Sequence, residues 1–174
     1  MNFDRVVEGT RFNDLATRFG FIVVYPKAEP GVYFNSGDRR LPAPGLDSSV
    51  DDVAFVGHLI ERIGADYALD PSRLFATGQS NGASMAHRLG CELSDQIAAI
   101  GPVAGELMIE CRPGQPVSVI EFHRLDDPIF PFMGGLGKFG VGYPPKSRPD
   151  LSIWRDARTR RLYVNAGEAF HGPV

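Results

Sequence analysis

Cysteine is scarce in this chain, tryptophan occurs once, and no apolar stretch is long. Cys91 and Cys111 are too few for a disulfide scaffold and lack the C-x-x-C spacing of zinc and redox sites. On these residues alone a single bridge and a pair of reduced core thiols both stay open. A bridge would close a loop of about 20 residues and contribute roughly 3 kcal/mol by the chain-entropy argument. The longest apolar runs, residues 21–25 and 97–104, fall far short of the roughly 20 residues a bilayer-spanning helix needs. A soluble protein without a membrane partner is expected. Residues 1–5 show no basic segment leading into an apolar run, so no export signal is expected there. An excess of one charge is missing too. Eighteen basic against 21 acidic residues leave a net charge of -3, which supplies no field for phosphate backbones, and no nucleic-acid partner is expected.

What is present fits one domain over residues 1–174, with 43% apolar residues to build one core. Glycine and proline, 20 and 14, make up about a fifth of the chain. The usual share is roughly 12%, so many turns are expected. Residues 21–25, Phe-Ile-Val-Val-Tyr before Pro26, form an unbroken β-branched and aromatic run, which predicts a strand buried on both faces. Residues 27–47 have no period and read as a long loop of the kind that carries function. Ser49-Val50-Asp51-Asp52 resembles a capping box with two carboxylates in the first turn. The helix after it carries Val53, Val56, Ile60 and Ile63 on one stripe, widened by Phe55 and Leu59. Residues 74–77 read as a second strand, 81–93 as a helix with Met85, Leu89 and Leu93 on one side, and 97–103, 117–122 and 162–164 as further strands. Strands alternating with helices call for an α/β fold, a mostly parallel sheet covered on both faces.

Gly78-Gln79-Ser80-Asn81-Gly82 spells G-x-S-x-G between a strand and a helix, the setting the motif requires. A sharp reversal there puts Ser80 in a strained conformation and leaves no room for side chains at Gly78 and Gly82. The hydroxyl is then raised above the sheet edge, with the Asn81 N–H and the helix N-terminus beside a developing oxyanion. A plain glycine-bounded turn with a capping serine is the other reading. A serine nucleophile needs a base and an orienting carboxylate, in the chain order serine, acid, histidine. Downstream stand His87, in the helix, where a packing or surface role fits better; His123, which precedes the acids; and His171, in a loop after the last strand. Asp126 and Asp127 both follow the fourth strand, and spacing does not choose between them.

These segments, with Val50 to Phe55 and Pro102-Val103-Ala104-Gly105, resemble the polyhydroxybutyrate depolymerase and feruloyl esterase family of α/β-hydrolases. Phe34-Asn35 is similar to the family's Trp-Asn pair. His123-Arg124-Leu125-Asp126-Asp127-Pro128 is similar to its His-Gly-x-x-Asp-Pro segment, and that alignment selects Asp127 as the acid. Arg124 stands where the family has glycine, in the turn that carries Asp127. The resemblance also implies a Cys91 to Cys111 bridge. It implies three strands ahead of residue 21, the third leading to a His-Gly loop with the second oxyanion N–H; these strands have no counterpart in the chain, so half an oxyanion hole is expected. Residues 161–173 imitate the family's Gly-Gly-His-x-Trp-Pro end loosely, and His171 takes the base there, unless it is an incidental tail histidine.

Gly135-Leu136-Gly137-Lys138-Phe139-Gly140 spells G-x-G-x-x-G, but Pro144 and Pro145 fall where a phosphate-binding helix would run. Arg155, Arg158, Arg160 and Arg161 read as a solvated basic face. No cofactor and no metal are expected, since acyl transfer through serine needs neither. The sequence reads as a serine-dependent carboxylic-ester hydrolase: Ser80 as nucleophile, His171 as base, Asp127 as acid and the Asn81 N–H as oxyanion donor. The resemblance implies polyhydroxyalkanoate or feruloyl and polysaccharide esters as substrates and an extracellular or periplasmic location. A catalytically weak hydrolase remnant serving as a binding module is the competing class. A flavodoxin-like binding protein would leave the residue 78–82 turn unexplained.

Overall fold

The computed structural model describes residues 3–28, 33–37, 49–132, 137–138 and 161–165, the last as backbone. Helices α1 (Phe3–Thr10) and α2 (Phe12–Phe19) come first, then α3 (Asp52–Asp66) and a 3-10 turn at Pro71–Arg73. Strand β1 (Phe75–Gln79), helix α4 (Asn81–Glu92) and strands β2 (Ala99–Val103), β3 (Ser118–His123) and β4 (Arg161–Asn165) follow. The strands form one parallel sheet in the order β1-β2-β3-β4, and the α/β class expected from the alternating pattern is the class observed.

Local chemistry sets the helix starts. Asp51 caps α3, its carboxylate accepting the Ala54 N–H at 2.9 Å, and Asp52 stands in the positive first turn. Asp70 caps the 3-10 turn through Ser72. Hydrogen bonds from the Ser72 hydroxyl and N–H hold its carboxyl below the usual carboxylate range.

The in-register ladders put Ala76, Ile100, Val119, Glu121 and His123 on one face of the sheet and Phe75, Thr77 and Ile120 on the other. Helix α4 packs on the first face, where Ile97, Ile100, Leu107, Val117 and Val119 form the main core cluster. Val53 of α3 joins Met85 and Leu89 of α4 in a second cluster. On the other face Phe75 is 66% exposed. One expectation fails here. Residues 21–25 form no strand, and Phe21, Ile22 and Val24 are exposed. Apolar composition favours burial of a segment, but a strand exists only where a neighbour completes its ladder. Among the described residues β1 pairs with β2 alone. The α3 stripe is narrower than its periodicity predicts, with Phe55 at the surface and Val53 alone fully buried. Helices α1 and α2 go beyond the expected elements; Phe12, Leu15 and Phe19 give α2 its spacing, and Gly20 closes it at φ 68° by donating its N–H to the Ala16 carbonyl. None of the described helices is long and apolar enough to cross a membrane.

Cys91 near the end of α4 is bonded to Cys111 in the segment between β2 and β3, and both lie in the main core cluster. The bridge spans a sequence separation of 20 and ties that helix-free connection to α4. Reduction is expected to lower unfolding stability by about 3 kcal/mol. Urea titrations with and without dithiothreitol check this, and the double Cys→Ala variant is expected to show no such difference.

Candidate active site

Strand β1 runs straight into α4 with one residue between them, and that residue, Ser80, has φ 56° and ψ -121°. Such a backbone costs a non-glycine residue about 1–3 kcal/mol and persists only where its surroundings enforce it. Here they do. The Ser80 N–H donates to the Val103 carbonyl at 3.0 Å, and the Ser80 carbonyl accepts from Ala83 at 2.9 Å and Ser84 at 3.1 Å. Its side chain makes no capping hydrogen bond, so the plain capping-serine reading fails and the hydroxyl is not committed to the helix end. Asn81 is the first residue of α4, one of the N-terminal amides with no carbonyl inside the helix to accept from it.

The two motif glycines play different parts. A Cβ on Gly78 would overlap the Gly82 carbonyl group, whereas a Cβ on Gly82 would meet nothing within 4 Å. Only Gly78 is required by packing, a correction to the symmetric expectation. A third glycine, Gly105, contributes to the same close approach, since a Cβ there would lie 2.6 Å from both the Ser80 carbonyl oxygen and the Ala83 Cβ. The chain leaving β2 therefore presses against the turn, with Ala104 at φ 50°.

The Asn81 side chain has a role that the motif alone did not disclose. Its Oδ1 accepts the Phe34 N–H at 2.9 Å and its Nδ2 donates to the Phe34 carbonyl at 3.0 Å, as a neighbouring strand would. Asp52 accepts the Asn35 N–H at 2.6 Å, and Arg88, itself paired with Glu92 at 2.7 Å, donates to the Asn35 carbonyl at 2.6 Å. Residues 33–37, within the long loop, are thus docked on α3, α4 and the residue next to Ser80. Sequence contained a hint in the Phe34-Asn35 resemblance but no indication of what the pair touches.

At the other side of the site, Asp126 and Asp127 separate cleanly. Asp126 forms a two-point pair with Arg124, at 3.0 and 2.7 Å, on the exposed rim, which holds its carboxyl below the usual range. Asp127 is half-buried, and its Oδ1 accepts the N–H groups of Ile129 at 2.8 Å and Phe130 at 2.9 Å. Arg124 has no positive φ, so the turn accommodates it where the resemblance led one to look for glycine. His123 is buried. Its Nε2 lies 2.7 Å from the Phe130 carbonyl and its Nδ1 3.4 Å from Glu121. His87 is buried in α4, the packing reading. His171 lies outside the described residues, as do the arginines at 155, 158 and 160, most of residues 27–47 and most of the G-x-G-x-x-G stretch.

The profile described as Esterase PHB depolymerase matches residues 1–127. The chain belongs to the Esterase PHB depolymerase family. This family chain is 34% identical over 103 residues to feruloyl esterase B of Piromyces equi, covering 56% of the chain and 19% of that protein. It is 31% identical over 97 residues to feruloyl esterase C of Emericella nidulans, covering 55% of the chain and 36% of that protein. The chain thus spans between about a fifth and about a third of the length of these relatives. A solved thermostable esterase matches with a TM-score of 0.49 and 19% identity, over 76% of this chain and 32% of that one.

Two outcomes are expected of this family member's turn. Gly78→Ala should lower unfolding stability by about 3 kcal/mol through overpacking, while Gly82→Ala, at an open helical position, should raise it by roughly 0.5–1 kcal/mol; urea midpoints of the two variants decide. Asn81→Ala should cost about 1–3 kcal/mol by leaving both Phe34 backbone groups without their partners, read as a lower midpoint and faster exchange of the Phe34 amide.

Proposed function

We propose that this chain is a serine-dependent carboxylic-ester hydrolase, a single partial α/β-hydrolase domain that works through an acyl-enzyme. The observation that carries the reading is Ser80 itself, held at φ 56° between β1 and α4 with its hydroxyl not used as a helix cap. In this reading Ser80 Oγ attacks the ester carbonyl carbon and its proton passes to His171. The oxyanion forms beside the Asn81 N–H at the positive end of α4. Collapse expels the alcohol, which takes the proton back from the imidazole. Water then attacks the acyl-enzyme by the same route, and Asp127 orients and stabilises the imidazolium throughout.

Asp127 is preferred over Asp126 because the Arg124 guanidinium engages both oxygens of Asp126, while Oδ2 of Asp127 accepts neither of the backbone N–H groups that hold Oδ1. For the base, His123 is engaged at both ring nitrogens and His87 is buried within α4, which supports His171. Feruloyl esters, or the polyesters after which the family is described, are the proposed substrates; the named relatives support the first and the family description the second. The Cys91–Cys111 bridge supports an oxidising, extracytoplasmic location.

A fluorophosphonate probe tests the proposal, because it reacts with an activated serine hydroxyl. Labelling of the folded protein and turnover of methyl ferulate or a p-nitrophenyl ester are expected, both abolished in Ser80→Ala. Folded protein that takes no label, or labelling that persists in Ser80→Ala, would refute it.

A further inference from the structure

His123 has no part in the proposed proton transfers, yet it is buried at the end of β3 with both ring nitrogens engaged. A carbonyl oxygen only accepts, so the 2.7 Å contact with Phe130 requires a proton on Nε2. Glu121 Oε1 stands 3.4 Å from Nδ1, and Asp127 Oδ2 3.7 Å from Nε2. The edge of Phe132 closes the ring in at a centroid distance of 5.7 Å. Phe130 is the link that matters. Its N–H holds Asp127 Oδ1 at 2.9 Å while its carbonyl is held by His123. One residue thus couples the buried ring to the carboxylate through two hydrogen bonds.

We propose that His123, seated against Glu121, is the positioning residue of the acid turn, anchoring residues 124–130 to β3 through the Phe130 carbonyl and so fixing where Asp127 presents Oδ2. This rests on the serine-triad reading, in which Asp127 is the acid. The charge state of the ring belongs to the same arrangement. Burial pushes the imidazole pKa down, but the Glu121 carboxylate, the Phe130 carbonyl and the Asp127 charge together outweigh burial and raise it above the ordinary histidine value. Arg124 and Asp126 pair with each other on the exposed rim, and among the described residues His87 of α4 and Glu106 after β2 are the other buried titratable groups on the α4 side. A raised pKa gives a stabilisation that is full below the unfolded-state value and fades as pH climbs through the folded-state value. The anchor therefore weakens on the alkaline side.

Three variants of the disulfide-bonded chain test this. In His123→Leu the Ile129 and Phe130 amides should exchange about tenfold faster. Ser80-dependent p-nitrophenyl acetate turnover should fall about 100-fold in kcat with KM little changed. His123→Gln, whose amide still donates to Phe130, should restore most of both and lack the alkaline limb of the parent rate profile; Glu121→Gln should move that limb to lower pH. Unchanged exchange in His123→Leu overturns the anchor. Faster exchange with unchanged turnover overturns the positioning role, and so does an alkaline limb indifferent to both Gln variants. If the parent chain shows no Ser80-dependent turnover or labelling, the triad reading fails, and amide exchange still decides whether His123 holds the turn. Should His123→Leu not fold, exchange and rate profile of His123→Gln carry the decision.

Discussion

A serine at φ 56° and ψ -121° is unfavourable in isolation, and the turn at Ser80 exists because three backbone segments meet around it with no side chain between them. Gly78 lets β1 approach Gly82, and Gly105 lets the exit of β2 lie against the Ser80 carbonyl. Three backbone hydrogen bonds at Ser80 then hold the geometry. From this close approach the direction of α4 follows, and from α4 follow the buried face of the sheet, the core around Ile100 and Val117, and the reach of Cys91 to Cys111.

The surroundings of Ser80 are assembled by side chains that imitate or grip backbone. Asn81 gives the Phe34 peptide groups the two hydrogen bonds a strand would give, Asp52 and Arg88 hold Asn35 from either side, and His123 holds the turn of Asp127 by one carbonyl. Loops without a ladder of their own need such partners, since unpaired buried peptide groups are costly. Charged partners strengthen these contacts: a carboxylate or guanidinium bonded to a peptide group contributes more than a neutral pair does.

Much of the fold was legible because its signals are local. The caps at Asp51 and Asp70, the strand-glycine-serine-helix succession at residues 75–92 and the alternation of strand and helix each depend on neighbours within a few residues. The failures share one cause. Residues 21–25 have the composition of a central strand, but pairing is a property of two segments, and composition reports one. The same limit hid the amide clamp of Asn81 and the grip of His123 on Phe130, each an encounter between residues that sequence distance does not relate.

The amino-acid order by itself determined the α/β class, the family, the glycine-bounded serine and the pair of adjacent aspartates, since each is written in residue type and short spacing. Tertiary structure alone decided that Gly78 rather than Gly82 is sterically required, and that Asp126 goes to Arg124 while Asp127 turns inward. The reason is physical: steric room, burial and the choice between competing hydrogen-bond partners arise only when distant segments come within a few ångströms of each other.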